Sequence, residues 1–307
     1  MRVADFHCDL LWYLSNDPKR TVKDPESQAS SSLLQEGGVV IQTFPIYTVT
    51  GAASVWQGTK QFEIFENLSH LDPDFFGSKL KCKLAIENAS CFCTEKEPLE
   101  QGLKRIESWW NKYPVKYISL TWNEENRFGG GAETKTGLKE DGKTLLKWMS
   151  GKKIAIDLSH TSDALARDIL HEIETLDITP IASHSNFRSV CSHPRNLPDD
   201  VALGIAQKKG LIGLNLVRHF IGNQIEDLTM HIQHAHTLGI ENHLCLGADF
   251  FGEVDVEAAK AHLKPYFFEG FSNSACYPKL RKILYSSFSE EFVDNLMYHR
   301  LNRFLEN

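Results

Sequence analysis

The chain has 307 residues, 42% of them hydrophobic and 24% charged, enough for one large core; α/β barrels reach this length as one domain, so residues 1–307 are expected to form one. A net charge of −7 and a pI near 6.0, with no run of Lys and Arg, offer no general attraction for a polyanion and argue against nucleic acid as a partner. Met1 to Tyr13 carries a single Arg, then Asp5 and Asp9, and no apolar run of the signal-peptide or membrane-spanning kind, so a soluble, cytoplasmic protein without a membrane partner is expected.

In chain order, short apolar or β-branched runs occur at 3–6, 39–44, 83–86, 115–120, 154–158, 179–182, 211–217 and 244–248, which makes eight candidate strands. Between them lie segments with apolar residues at helical spacing. A polar loop at 17–32 leads into the first clear helix, and Phe62, Phe65, Leu68 and Leu71 then form a stripe. Further stripes follow at 99–110, at 164–176 through Leu165, Ile169, Ile173 and Leu176, and more weakly at 228–238. The last stretch, 278–305, reads as two more helices, the second opening at Ser289 with Glu290 and Glu291 in its first turn, and both are expected to pack against the outside. Near-continuous apolar strands that alternate with helices predict a parallel sheet, and a count of eight predicts closure into a (β/α)8 TIM barrel. An open doubly wound sheet is the alternative, but no glycine-rich dinucleotide fingerprint follows the first strand. The seven cysteines are odd in number and scattered, and are expected to be reduced thiols; Cys91 and Cys93 lack the second pair that a four-cysteine metal site needs.

Barrel enzymes carry their chemistry at the C-terminal ends of strands. Metal-competent residues fall there repeatedly: His7 and Asp9 after the first strand, Glu87 at the third, His160 at the fifth, His184 at the sixth and Asp249 at the eighth. Residues i and i+2 of an extended segment point the same way, so His7 and Asp9 can face one ion while Cys8 turns aside. A central carboxylate, as Glu87 would be, can bridge two ions, and two ions roughly 3.5–4 Å apart can share the hydroxide a hydrolase uses. Taken singly, His7 reads as a hydrogen-bonded core histidine and Glu87 as a salt-bridge partner. Their recurrence at successive strand ends favours a metal site, because each uncompensated burial would cost several kcal/mol.

Three stretches, 156–160 (Ile-Asp-Leu-Ser-His), 183–185 (Ser-His-Ser) and 190–200 (Val-Cys-Ser-His-Pro-Arg-Asn-Leu-Pro-Asp-Asp), resemble the membrane or renal dipeptidase family of zinc metallopeptidases, and the likeness runs from about residue 3 to about residue 252. The resemblance implies a binuclear zinc centre in which His7 and Asp9 hold one ion, His160 and His184 the other, and Glu87 bridges them. It further implies that Arg195 binds the carboxylate of a small peptide substrate, a role its planar fork suits, and that Asp249 holds the substrate's amino group or shuttles a proton. A surface ion pair for Arg195 and a turn cap for Asp249 are the plainer alternatives. A homodimer is suggested by the resemblance as well.

The chain departs from the family pattern twice. Where better-known members have a histidine after the strand-four Leu-Thr, this chain has Trp122, whose indole N–H is a donor without charge, so the substrate's oxyanion would rest on the metals and on donors such as Asn123 or Asn126. The family's Asp-Phe-Asp-Gly appears as Asp249-Phe250-Phe251-Gly252, which puts an aromatic residue at a polar position of the rim and points to a different substrate preference. The functional expectation is a metallo-dipeptidase that acts on L,L and also L,D dipeptides through a metal-bridging hydroxide, with Asp249 and Glu87 at the chemistry and Arg195, Trp122 and Asn123 at the substrate. The alternatives are another amidohydrolase, acting on a different amide, a lactone or a cyclic substrate, and a barrel that binds metal and peptide without turnover.

Overall fold

The computed structural model describes residues 1–256 and 258–306. All eight predicted strands are present: β1 (Val3–Asp5), β2 (Val39–Tyr47), β3 (Lys81–Glu87), β4 (Val115–Ser119), β5 (Ala155–Asp157), β6 (Pro180–Ile181), β7 (Ile212–Leu214) and β8 (Leu244–Leu246). They pair in parallel in the order β6-β5-β4-β3-β2-β1-β8-β7, and a bridge between Ala182 and Ile212 joins the two ends into a (β/α)8 barrel. The last closure is tight. A Cβ on Gly213 or Gly247 would lie 2.0 or 1.8 Å from the Ser183 carbonyl oxygen, so only glycine lets β6, β7 and β8 come together there.

The helices between strands are α1 (Leu10–Asn16), α2 (Ser31–Glu36), α3 (Ser54–Leu71), α4 (Leu99–Lys112), α5 (Glu140–Met149), α6 (Asp163–Glu172), α7 (Asp199–Gln207), α8 (Arg218–Ile221) and α9 (Leu228–Thr237). Ser162 starts α6 by accepting the Leu165 N–H at 3.0 Å, and Leu165, Ile169 and Ile173 bury the expected face. In α3 the stripe holds through Phe62, Phe65 and Leu68, whereas Leu71, at the helix end, is 50% exposed. None of the helices searched among the described residues is long and apolar enough to cross a membrane.

The C-terminal segment corrects one expectation. After α10 (Tyr277–Tyr285) come α11 (Glu290–Asp294), a π-helical turn (Asn295–His299) and α12 (Arg300–Glu306), and Ser289 caps α11 as predicted through the Phe292 N–H at 3.3 Å. Instead of lying on the outside of the barrel, however, this last helical run plugs its N-terminal end. Tyr298, Leu301 and Leu305 pack among Ala4, Phe6, Ile41, Ala85, Tyr117 and Ala155, and the Phe304 ring meets the Phe6 edge at 5.8 Å. The reason is volume: the inward residues at that end include the small Ala4, Ala85 and Ala155, which leave space that a close-packed interior must fill. With this end closed, the C-terminal mouth is where the site forms.

Candidate metal centre

Past its last paired residue β1 continues beside the segment that follows β8. Asp249 N–H donates to His7 O at 3.2 Å and Asp9 N–H to Phe250 O at 2.9 Å, which brings His7, Asp9 and Asp249 to one corner. Asp5 fastens the same corner: its Oδ1 accepts the N–H groups of His7 and Ala248, at 3.2 and 3.1 Å, and its Oδ2 accepts the Tyr277 hydroxyl at 2.5 Å. As the alternation of an extended segment requires, His7 and Asp9 share a side, Nε2 to Oδ1 being 3.6 Å, while Cys8 is buried elsewhere in the core.

Glu87, the last residue of β3, stands between the histidines. Its Oε2 lies 3.2 Å from His7 Nε2, and its Oε1 lies 2.8 Å from His160 Nε2 and 3.8 Å from His184 Nε2. The two histidine Nε2 atoms on the Oε1 side are 2.9 Å apart. Asp249 Oδ1 is 3.7 Å from His7 Nε2. All five expected ligands therefore converge, with Asp249 beside them, and two overlapping groups have metal-ligand spacing: His7, Glu87 and His184, and His7, Asp9 and Asp249.

The hydrogen-bond network assigns the tautomers. Tyr117 gives its hydroxyl proton to Phe6 O at 3.2 Å and so accepts from His7 Nδ1 at 2.9 Å. Asn123 Oδ1 accepts from His160 Nδ1 at 2.8 Å. Ser183 gives its proton to Asp157 Oδ2 at 2.7 Å and accepts from His184 Nδ1, also at 2.7 Å. Each of these three imidazoles thus carries a proton on Nδ1 and turns Nε2 inward, the arrangement in which an oxygen acceptor behind each ring fixes a metal-ligating histidine. His7 Nε2 and Asp9 Oδ1 are buried without a hydrogen-bond partner, and the Nε2 atoms of His160 and His184 face each other at 2.9 Å. These residues fit a divalent metal.

Electrostatics agree. Burial alone would lower the His7 pKa, but the charges of Glu87 and Asp9 outweigh it and push His7 well above its ordinary value. Burial and the neighbouring Arg195 hold His160 down to about 4, and burial with the charge of His7 puts His184 well below its usual range. Burial would raise Glu87, yet His7 and His160 bring it below the ordinary carboxylate range. The carboxylates around His7 favour a positive charge there, which a metal cation would supply.

Among the remaining candidates, Arg195 is buried and its Nη2 donates to His160 Nε2 at 3.0 Å, which leaves no role as a surface ion pair; its Nη1 has no partner among the described residues. Its position is set by its own N–H, donated to His193 Nδ1 at 3.1 Å, and by the Phe220 ring 5.6 Å from the guanidinium carbon. Asp249 Oδ2 accepts from Asn215 Nδ2 at 2.9 Å, burial pushes its pKa up to about 7, and its backbone takes a left-handed φ of 64°. Trp122 is half-buried between the Tyr47 ring at 5.2 Å and the His160 ring at 5.9 Å. Asn126 is spent on structure: its amide donates to Asn88, Ser90 and Leu120, and its Oδ1 accepts the N–H groups of Phe128 and Gly129, so it has no donor left for an oxyanion. Cys91 and Cys93 belong to neither metal-competent group among the described residues, and burial pushes the Cys93 thiol up to about 11.

Asp157, Ser183, Tyr117 and Asn215 escaped the sequence reading. The signal available for the first three was a polar residue inside or beside an otherwise apolar strand run. Asn123, read as a substrate contact, is instead placed behind His160. Asn123→Ala is accordingly expected to weaken metal retention about 10–100-fold in competition with a chelator; unchanged retention with a raised KM would return it to the substrate.

A family model described as membrane dipeptidase (Peptidase family M19) matches residues 1–307. An uncharacterized dipeptidase of Schizosaccharomyces pombe is 27% identical over 240 residues, 75% of this chain and 56% of the relative. The chain spans about half the length of the curated relatives it matches. Among solved structures, a metallo peptidase from Rhodobacter sphaeroides liganded with a phosphinate mimic of the dipeptide L-Ala-D-Ala is 18% identical with a TM-score of 0.81, over 100% of this chain and 99% of that one. The dipeptidase AC, a metallo peptidase of family M19, is 19% identical with a TM-score of 0.80, over 100% and 98%. These two likenesses establish the same barrel fold.

Proposed function

Because the chain belongs to the membrane dipeptidase family, peptidase family M19, we propose that it hydrolyses the peptide bond of small dipeptides at a centre of two zinc ions held by His7, Asp9, Glu87, His160 and His184. The observation that carries this reading is the convergence of three imidazole Nε2 atoms on Glu87, whose two oxygens face different histidines. A donor set of imidazole nitrogen and carboxylate oxygen suits zinc. Bound there, the ions would supply Lewis-acid polarisation of the carbonyl and a water acidic enough to ionise near neutral pH.

The chain's own residues bind the substrate and carry its proton. Arg195 takes the C-terminal carboxylate, to which its unpartnered Nη1 offers a buried, charged donor. Asp249, pinned through Oδ2 by Asn215 and raised to about 7, takes up and releases a proton in the neutral range and delivers it to the leaving amine. Trp122 walls the site with an apolar face in place of a charged donor. The Rhodobacter sphaeroides protein accepts a mimic of an L,D dipeptide, which supports a substrate of this size and mixed stereochemistry.

Chelator-stripped protein is expected to lose turnover of a panel of L,L and L,D dipeptides and to regain it with zinc. Hydrolysis that continues after complete metal removal, or calorimetric binding with no product by mass spectrometry, would overturn the proposal.

A further inference from the structure

Lys260 is a cation at the mouth that the mechanism does not use. It lies in the short helical segment Ala258–Leu263, in the loop after β8, and the loop is anchored at several points. Arg20 Nη2 donates to Asp255 Oδ1 at 2.8 Å, Tyr266 N–H to Glu253 Oε1 at 3.2 Å, and the Tyr266 hydroxyl to the carbonyl of Lys260 itself at 2.9 Å. Phe251 supports Tyr266 and Phe267, with ring centroids 5.2 and 5.3 Å away, so the aromatic residue at the family's polar rim position is a foot for this loop.

So placed, the Lys260 ammonium sits 4.8 Å from the centroid of the Trp122 ring, whose centroid is in turn 5.9 Å from the His160 ring. No carboxylate among the described residues pairs with it. A cation resting on an aromatic face alone gains less than one hydrogen-bonded to a charged partner. Glu125, three residues after Trp122, is held by Lys139 at 2.7 Å. The charge count then identifies the ligand. A dipeptide brings one terminal carboxylate, which Arg195 receives, and a second cation one aromatic ring from the centre suits a second carboxylate. We propose that Lys260, seated on Trp122, forms a subsite for the side chain of an acidic residue, so that the preferred substrates are dipeptides containing Asp or Glu. The inference rests on the dipeptidase reading and deepens it. Trp122 gives the subsite its floor, which a charged histidine at that position would not provide for an ammonium.

The zinc-loaded protein would be assayed on Ala-Ala and on dipeptides in which Asp, Glu or Lys replaces either alanine, in L,L and L,D forms. The quantity read is the ratio of kcat/KM for acidic over neutral dipeptides, which a general loss of activity leaves untouched. The ratio is expected to be about tenfold or more in the parent and to fall toward one in Lys260→Met. In Lys260→Glu the preference should move to lysine-containing dipeptides. A parent ratio near one, or an acidic preference that survives Lys260→Met, overturns the subsite while the dipeptidase reading stands. Absence of turnover on every member of the panel defeats both.

Discussion

A Glu87→Gln variant is expected to lose most of its bound metal and to fall by at least ~10³-fold in kcat/KM, since removing even an outer partner of a ligand typically costs 10–100-fold. Glutamine keeps the shape of the side chain, but it puts an amide N–H2 where a carboxylate oxygen now faces an imidazole nitrogen, and it removes the charge that raises the His7 pKa. Among the described residues, Glu87 is the side chain whose carboxylate faces His7 on one oxygen and His160 and His184 on the other. Metal per chain, measured by plasma mass spectrometry after dialysis, and dipeptide turnover are expected to fall together. Full metal content with activity within tenfold of the parent would show that Glu87 does not bridge the centre.

Asp249→Asn should act differently. It removes a carboxyl whose pKa burial sets at about 7 and leaves a group of equal size, so kcat is expected to drop about 10²–10⁴-fold with KM within a few fold. The left-handed backbone at φ 64° is no obstacle, since asparagine adopts that region more readily than most residues, and the thermal midpoint should not fall. Metal content separates the two roles open to this residue. If Asp249 carries the proton, the variant retains its metal; if it is a ligand with His7 and Asp9, whose donor atoms lie within reach of it, metal is lost along with the rate.

The residues proposed as ligands could be read from the sequence because each falls at or within a few residues of the end of a short apolar run, and a barrel converts that position into convergence whatever the separation along the chain. The residues behind them were hidden for a physical reason. Asp157 and Ser183 carry no role of their own in the sequence, and only the register that sets β5 beside β6 puts the Ser183 hydroxyl between Asp157 and the His184 ring. Asn123 and Asn126 look alike in sequence, three residues apart in one loop. Loop geometry turns one toward His160 and buries the other in backbone hydrogen bonds. The terminal helices failed in another way: an apolar stripe reports that a face will be covered, but whether by the flank of a barrel or by its open end depends on how much of the interior the strands leave unfilled.

The closeness of β6, β7 and β8 bears on how loss-of-function data from this barrel should be read. Gly213 and Gly247 contribute no donor, acceptor or charge, yet one methyl group on either would strike the carbonyl of Ser183, the residue that orients the His184 ring. In a saturation scan both positions would therefore imitate catalytic residues, silenced by sterics beside the chemistry. The loop after β8, anchored from below by Phe251 and Arg20, is where designers of new selectivity have room to vary side chains without touching that seam.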